Sequence, residues 1–316
     1  MSAPTIDQLP HGITVVDTGF QRPGFAASFI IRQGDKAAFV DAGNNAAVPH
    51  LLAGLTAVGL TPQDVSHVIV THVHLDHAGG AGRLMAACPN ATLVAHPRAA
   101  RHMVDPSALW AGAAGVYGED YMHATYGELV PVPQERVLVT SDGFVLDFDG
   151  RPLLFLDTPG HARHHHCVWD QTSRGWFTGD THGLSYPEFV SGTGRYILPT
   201  TTPVQFDPVA AHTSLDRLQA QDPASLYLTH FGRVAYDPAL TDLLRRQLDS
   251  MVEISRRHAS LTGREREDAI AADLRELYVA EAAAVGVDLP ALGSLLDLDV
   301  TLNAQGLGVW LDQSAG

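Results

Sequence analysis

The run Thr71-His72-Val73-His74-Leu75-Asp76-His77-Ala78-Gly79-Gly80 places three histidines and an aspartate within six residues. Neutral imidazole and carboxylate together suit a borderline divalent metal such as zinc, iron or manganese. His72 and His74 are two apart, so on extended backbone they point the same way. Asp76 and His77 follow at a turn and face a second position nearby. Four such groups are too many for one open catalytic metal when further candidates lie downstream, which hints at two metals. The chain has 17 histidines, so clustering by chance is the alternative. Chance must supply four coincidences at a strand end followed by Gly-Gly.

The elements that must position these residues follow from pattern. The apolar run Val68-Ile69-Val70 leads into the motif as a strand. Residues 13–16, 27–32 and 36–40 read as earlier strands, the last ending in Asp41-Ala42-Gly43. Val48, Leu51, Leu52, Leu55 and Val58 recur at helical spacing. Residues 83–87 read as a helix and 91–95 as a strand. Residues 98–136, rich in Ala, Gly, His and aromatics, break the alternation and read as an insertion over the site. Strands resume at 136–139, 144–148, 153–156, 166–170 and 175–178. A helix over about 209–219 and a strand at 226–228 follow. Runs ending at Val70, Leu156, Phe177 and Leu228 are each followed by His or Asp. Strand ends share an edge of a packed sheet, so distant ligands can converge there. From Pro238 onward two helical stripes appear, Leu243, Leu244, Leu248, Met251 and Val252, then Ile270, Leu274, Leu277 and Tyr278. The expected organisation is a catalytic domain over 1–237 and a helical extension over 238–316 packed on it. That extension is a candidate for pocket walls or for a homodimer contact.

Composition narrows the function classes. The chain has 316 residues, is 45 % apolar and carries a formal charge of −15. A polyanion-binding surface is normally basic, so nucleic acid is not an expected partner, and anionic membrane surfaces are disfavoured. No stretch of about 18 apolar residues suggests a membrane span, and residues 1–4 show no secretory signal. A cytoplasmic location is expected. Cys88 and Cys167 give no disulfide framework and are expected to be buried.

His72-Val73-His74-Leu75-Asp76-His77, with His161 after Thr158-Pro159-Gly160, Asp180 after Thr178-Gly179, and His230, resembles the metallo-β-lactamase superfamily. The resemblance spans roughly residues 13–235 and begins at the Asp41 turn. It implies an α/β, four-layer αβ/βα sandwich. It implies a dinuclear centre, with His72, His74 and His161 on one divalent ion and Asp76, His77 and His230 on the other. Asp180 would bridge them. Zinc is the first expectation, with iron or manganese open. β-Lactamases of this fold often carry cysteine where Asp180 stands, so the set looks more like glyoxalase II, lactonase and phosphodiesterase relatives.

Two metals ~3.5–4 Å apart can activate one water at neutral pH and polarise a carbonyl. Asp76 is the candidate to orient the nucleophile and pass its proton to the leaving group. Asp41 and His165 are candidates to hold ligands in orientation. His164, His166 and His182 are expected to be structural or solvent-facing. Tyr117, Tyr121 and Tyr126 in the insertion, with Tyr186 and Tyr196, could build a pocket for a small lactone, ester or thioester. A phosphodiesterase or nuclease, an iron-dependent redox enzyme and a non-catalytic scaffold are the alternatives. The acidic charge, the complete second ligand set and the intact motif weigh against them in turn.

Overall fold

The computed structural model describes residues 4–192, 194–201 and 204–314. Residues 1–3, 193, 202–203 and 315–316, which fall within stretches read above, lie outside the described residues. The chain divides into two compact units. The first comprises Met1–Asp157, His164–Gly179 and Ala224–Val234; the second comprises Thr158–Arg163, Asp180–Pro223 and Ala235–Gly316. The last segment of the first unit ends at Val234, and Ala235–Gly316 belongs to the second. Residues 158–163 and 180–223, expected in the catalytic domain, cluster instead with the C-terminal helices.

The first unit is built on two sheets. One runs in the order β1 (Ile6–Leu9), β2 (Ile13–Asp17), β3 (Ala27–Gln33), β4 (Lys36–Val40), β5 (Val65–Val70), β6 (Thr92–Ala95) and β7 (Val137–Val139). Hairpins make β1–β4 antiparallel, and helical crossovers make β4–β7 parallel. The other sheet contains β8 (Phe144–Phe148), β9 (Arg151–Asp157), β10 (His166–Asp170), β11 (Gly175–Gly179), β12 (Ser225–Leu228) and β13 (Gly232–Ala235). Strands β1 and β13 have no counterpart in the sequence reading. Each is an edge strand of four residues, too short for alternation to register.

Phe29, Ile31, Val40 and Ile69 of one sheet pack with Phe155, Val168, Phe177 and Tyr227 of the other in a single core. On its opposite face the first sheet is covered by α1 (Val48–Ala57), by α3 (Ala81–Ala87), which follows the short α2 (Leu75–Ala78), and by α4 (Pro97–Val104). Leu51, Leu55, Leu84 and Met103 are buried there. Cys88 and Cys167 are fully buried, and Cys167 lies in β10, as expected; burial pushes the Cys88 thiol up to about 11. The insertion is helical: α4 is followed by α5 (Ser107–Tyr117) and α6 (Glu119–Thr125). Its Ala, Gly and aromatic content hides the helical period, because no residue of α5 is buried.

The second unit holds α7 (Pro208–Gln219), α8 (Pro238–Arg257), α9 (Gly263–Ala284) and α10 (Asp297–Ser314). The stripe expected on α8 is buried throughout, and Ile270, Leu274 and Tyr278 of α9 are buried with it. Among the described residues, no helix is long and apolar enough to cross a membrane.

One buried ion pair ties the first unit together. Arg151 Nε donates to Asp170 Oδ1 at 2.9 Å, and Nη1 donates to the His11 carbonyl at 2.7 Å. Burial alone would raise the Asp170 pKa. Hydrogen bonds from Arg151 and Ser173 and the Arg151 charge outweigh it and hold the carboxyl below its ordinary range. This stabilisation is therefore present above the ordinary carboxylate range and is lost as pH falls through the depressed folded pKa. Arg151→Ala, which leaves Asp170 buried and uncompensated, is expected to cost about 3–5 kcal/mol in urea unfolding at neutral pH. A loss below about 1 kcal/mol, the value of an exposed pair, would contradict this account.

Candidate metal centre

The first unit carries five of the seven expected ligands on strand ends. Parallel strands β4 and β5 finish side by side, with Val40 opposite Ile69, so Asp41 and the Thr71–His77 loop leave the sheet at the same edge. Asp41 takes a φ of 60°, an uncommon conformation that Asp tolerates. Its carboxylate then turns back under the loop. Oδ1 accepts from Thr71 N at 2.8 Å and Thr71 Oγ1 at 2.9 Å. Oδ2 accepts from His77 Nδ1 and from Thr229 Oγ1, both at 2.8 Å.

These bonds decide which nitrogen each histidine presents. His77 Nδ1–H is given to Asp41, so His77 Nε2 carries a lone pair. His230 Nδ1–H is given to the Phe25 carbonyl at 2.8 Å, so His230 Nε2 carries one too. The two Nε2 atoms lie 3.3 Å apart. Asp76 Oδ2 lies 3.3 Å from His230 Nε2 and 3.6 Å from His77 Nε2. Two lone-pair nitrogens and a carboxylate oxygen converging on one point repel one another unless a cation sits among them. Asp76, His77 and His230 therefore fit a divalent ion by donor chemistry as well as spacing.

The same logic holds for the other candidates, each within its own unit. In the first, His72 Nδ1 faces Thr71 Oγ1 at 3.2 Å and His72 Nε2 faces His74 Nδ1 at 2.7 Å. In the second, His161 Nδ1 lies 2.9 Å from the Thr200 hydroxyl and 3.2 Å from its carbonyl, and Nε2 faces Asp180 Oδ2 at 3.2 Å. His165 is fully buried with its ring stacked on His72, centroids 4.7 Å apart. It orients that ring by packing. His164, His166 and His182 are buried rather than solvent-facing. His166 bonds the Val70 carbonyl at 2.9 Å, and burial drives its pKa down to about 3. His182 bonds Thr241, and burial brings it down to about 4. Both are neutral at physiological pH.

The tyrosines divide. Tyr117 and Tyr121 are partly exposed on α5 and α6, and Tyr126 is buried just beyond. Burial and the Asp76 charge raise the phenols of Tyr117 (to about 12) and Tyr126, so both stay protonated and lie within reach of that carboxylate's field. Asn44 Nδ2 donates to the Thr125 carbonyl at 2.9 Å and Asn45 Nδ2 to the Tyr126 carbonyl at 2.8 Å, pinning the insertion to the loop after Asp41. Tyr186 and Tyr196 are not pocket residues. Both have zero exposure, with hydroxyls donated to Asp299 and Gln247 in the helical packing of the second unit.

Sequence reasoning missed Thr71, Thr229 and the Phe25 carbonyl. The two threonines had a signal, since each immediately precedes a ligand histidine at a strand end. The carbonyl had none.

Asp41→Asn replaces an acceptor of four donors by a group that itself donates. It is expected to lower Zn²⁺ affinity roughly 10–100-fold, read by competition with a chromogenic chelator. Unchanged affinity would mean that Asp41 does not set the His77 ring.

A family model described as the metallo-beta-lactamase superfamily matches residues 21–230. Among solved structures, an archaeal superfamily protein from Sulfolobus tokodaii superposes with a TM-score of 0.66 at 21 % identity, covering 95 % of this chain and 99 % of that one. Among curated proteins, an atrochrysone carboxyl ACP thioesterase from Aspergillus fumigatus is 28 % identical over 162 residues, 50 % of this chain and 41 % of its own length. An N-acyl homoserine lactonase from Rhizobium radiobacter is 28 % identical over 114 residues, 36 % of this chain and 39 % of its own. This chain thus spans less than half the length of either relative. The matched region runs from before the Asp41 turn to His230 and contains every expected ligand, and the chain belongs to the metallo-β-lactamase superfamily of metallo-hydrolases.

Proposed function

We propose that the protein is a dinuclear metal-dependent hydrolase acting on a small lactone, ester or thioester. The observation that carries this reading is the convergence of His77 Nε2, His230 Nε2 and Asp76 Oδ2, with both rings locked from behind by Asp41 and Phe25. The superfamily resemblance would assign His72, His74 and His161 to a second ion and Asp180 to both. The thioesterase and lactonase named above support a carbonyl substrate.

A metal pair in this set supplies Lewis acidity and lowers the pKa of water towards ~7. The chain's own groups then do the rest. Asp76 accepts a proton from the attacking water through its carboxylate and returns it to the leaving oxygen or sulfur. Asp41 and His165 keep the imidazoles from rotating, so the donor set is ordered before substrate arrives. The protonated phenols of Tyr117 and Tyr126 lie in the field of the Asp76 carboxylate.

The test is proton release by metal-loaded protein on acyl lactones, thioesters, simple esters, a β-lactam and a phosphodiester. Release from one carbonyl class, lost on chelation and restored by metal, is expected. Release from the phosphodiester alone would overturn the substrate class. Asp180→Ala is expected to abolish turnover with the circular-dichroism spectrum retained; an active variant would remove Asp180 from the centre.

A further inference from the structure

Outside the ligand group, the first unit contains a cavity of about 440 Å³. Its walls come from three places: the β2–β3 loop through Phe20, Gln21 and Arg22, the segment entering α1 through Asn44 and His50, and α6 through Tyr121. The loop wall is built, not incidental. Asp17 sits at its base and accepts from Gly19 N at 2.9 Å and Gly24 N at 2.8 Å. Gly19 has a φ of 70° and approaches the His50 ring so closely that a Cβ would lie 2.8 Å from it. Gln21 Nε2 donates to the Tyr121 hydroxyl at 3.1 Å, joining loop to insertion across the cavity.

The chemistry of the lining is at odds with the chain as a whole. The protein carries 35 acidic residues against 20 Lys and Arg. Yet among the described residues lining this cavity none is acidic, and Arg22 is there. Asp17, beneath it, is 5 % exposed and turned onto backbone N–H groups. His50 is the third residue of α1, and both its ring nitrogens are shielded from solvent without a hydrogen-bond partner among the described residues. A shielded ring N–H without an acceptor is unfavourable, so a turn of the His50 ring that presents it to an acceptor in the cavity is favoured.

The cavity is also linked to the ligand group. The Phe20 ring, in its wall, lies 5.7 Å from Phe25, and Phe25 meets the His230 ring edge-on at 5.3 Å. Phe20 also lies 5.8 Å from Tyr126, whose phenol feels Asp76. One aromatic wall runs from the cavity to the donors.

We propose that this cavity binds an anionic group, a carboxylate or phosphate, at the far end of the substrate whose carbonyl is attacked beside Asp76, with Arg22 and His50 as its recognition residues. The inference rests on the hydrolase reading and narrows it, from any small acyl compound to one with a second, charged end. The apolar tail that the tyrosines alone would suggest gives way to a short chain passing along Phe20 and ending in an anion.

The experiment uses the metal-loaded full chain and two readouts. Calorimetric binding compares hexanoate, adipate and 4-phosphonobutyrate. Kinetics compare hexanoyl and adipoyl thioesters of one thiol. A charge-assisted hydrogen bond predicts that adipate binds roughly tenfold or more tighter than hexanoate, and that the adipoyl thioester gains by a similar factor in KM. The phosphonate arm tells whether the group is better met as carboxylate or phosphate. Arg22→Gln and His50→Leu should each erase most of the preference, and Arg22→Lys should keep part of it. Hydrolysis of both thioesters without preference leaves the hydrolase reading standing and overturns this one. So does a preference that survives both Arg22→Gln and His50→Leu. Preferential adipate binding with no hydrolysis supports the anion pocket and removes thioesters from the proposed substrates.

Discussion

The carboxylate of Asp41 accepts from Thr71 N, Thr71 Oγ1, His77 Nδ1 and Thr229 Oγ1, and it has no solvent exposure. A buried carboxylate with fewer donors would be costly, so the four bonds are a condition of its being there. They also bring three strand ends together. Asp41 follows β4, Thr71 follows β5 and Thr229 follows β12 of the other sheet. The carboxylate thus clamps the open edge of the sandwich and fixes the His77 tautomer with one set of contacts. Thr71 carries the order one step further, since its hydroxyl donates to Asp41 and accepts from His72 Nδ1.

Two further rings are held from behind by other partners: Phe25 supplies a carbonyl to His230, and the hydroxyl and carbonyl of Thr200 meet His161 Nδ1. A histidine whose one nitrogen is committed has a single lone pair left and a fixed direction for it. Backbone carbonyls and threonine hydroxyls thus set where each remaining lone pair points. The core behind them does the coarse positioning. Val40, Ile69, Val168 and Phe177 fix the register of strands whose ends carry Asp41, the His72 loop and the edge of the ligand set.

Much of this was legible in the sequence because strand ends announce themselves. An apolar run followed by His or Asp is a local pattern, and Asp41, His72, His77 and His230 all stand where that pattern puts them. The strands between 13 and 228 were legible for the same reason. The edge strands at Ile6–Leu9 and Gly232–Ala235 were not, because four residues half in solvent carry little periodicity. Tyr186 and Tyr196 misled because an aromatic near a site motif has the same letter whether it packs or binds. Their burial depends on Asp299 and Gln247, more than fifty residues away in sequence for each hydroxyl pairing. The cavity by His50 had no sequence signal, since its walls meet through contacts between three separated segments.

The donor geometry and the substrate walls depend on different forces, and so can change independently. His77 and His230 are held by hydrogen bonds to Asp41 and to a backbone carbonyl, and all of these residues are buried. The β2–β3 loop and the insertion meet through side chains, Gln21 on Tyr121 and Phe20 on Tyr126, at or near the surface. Substitution of Gln21 or Tyr121 alters the shape of the cavity without moving an acceptor from behind an imidazole. Substitution of Thr71 or Thr229 does the reverse. A scaffold divided in this way can keep one donor geometry while its pocket varies.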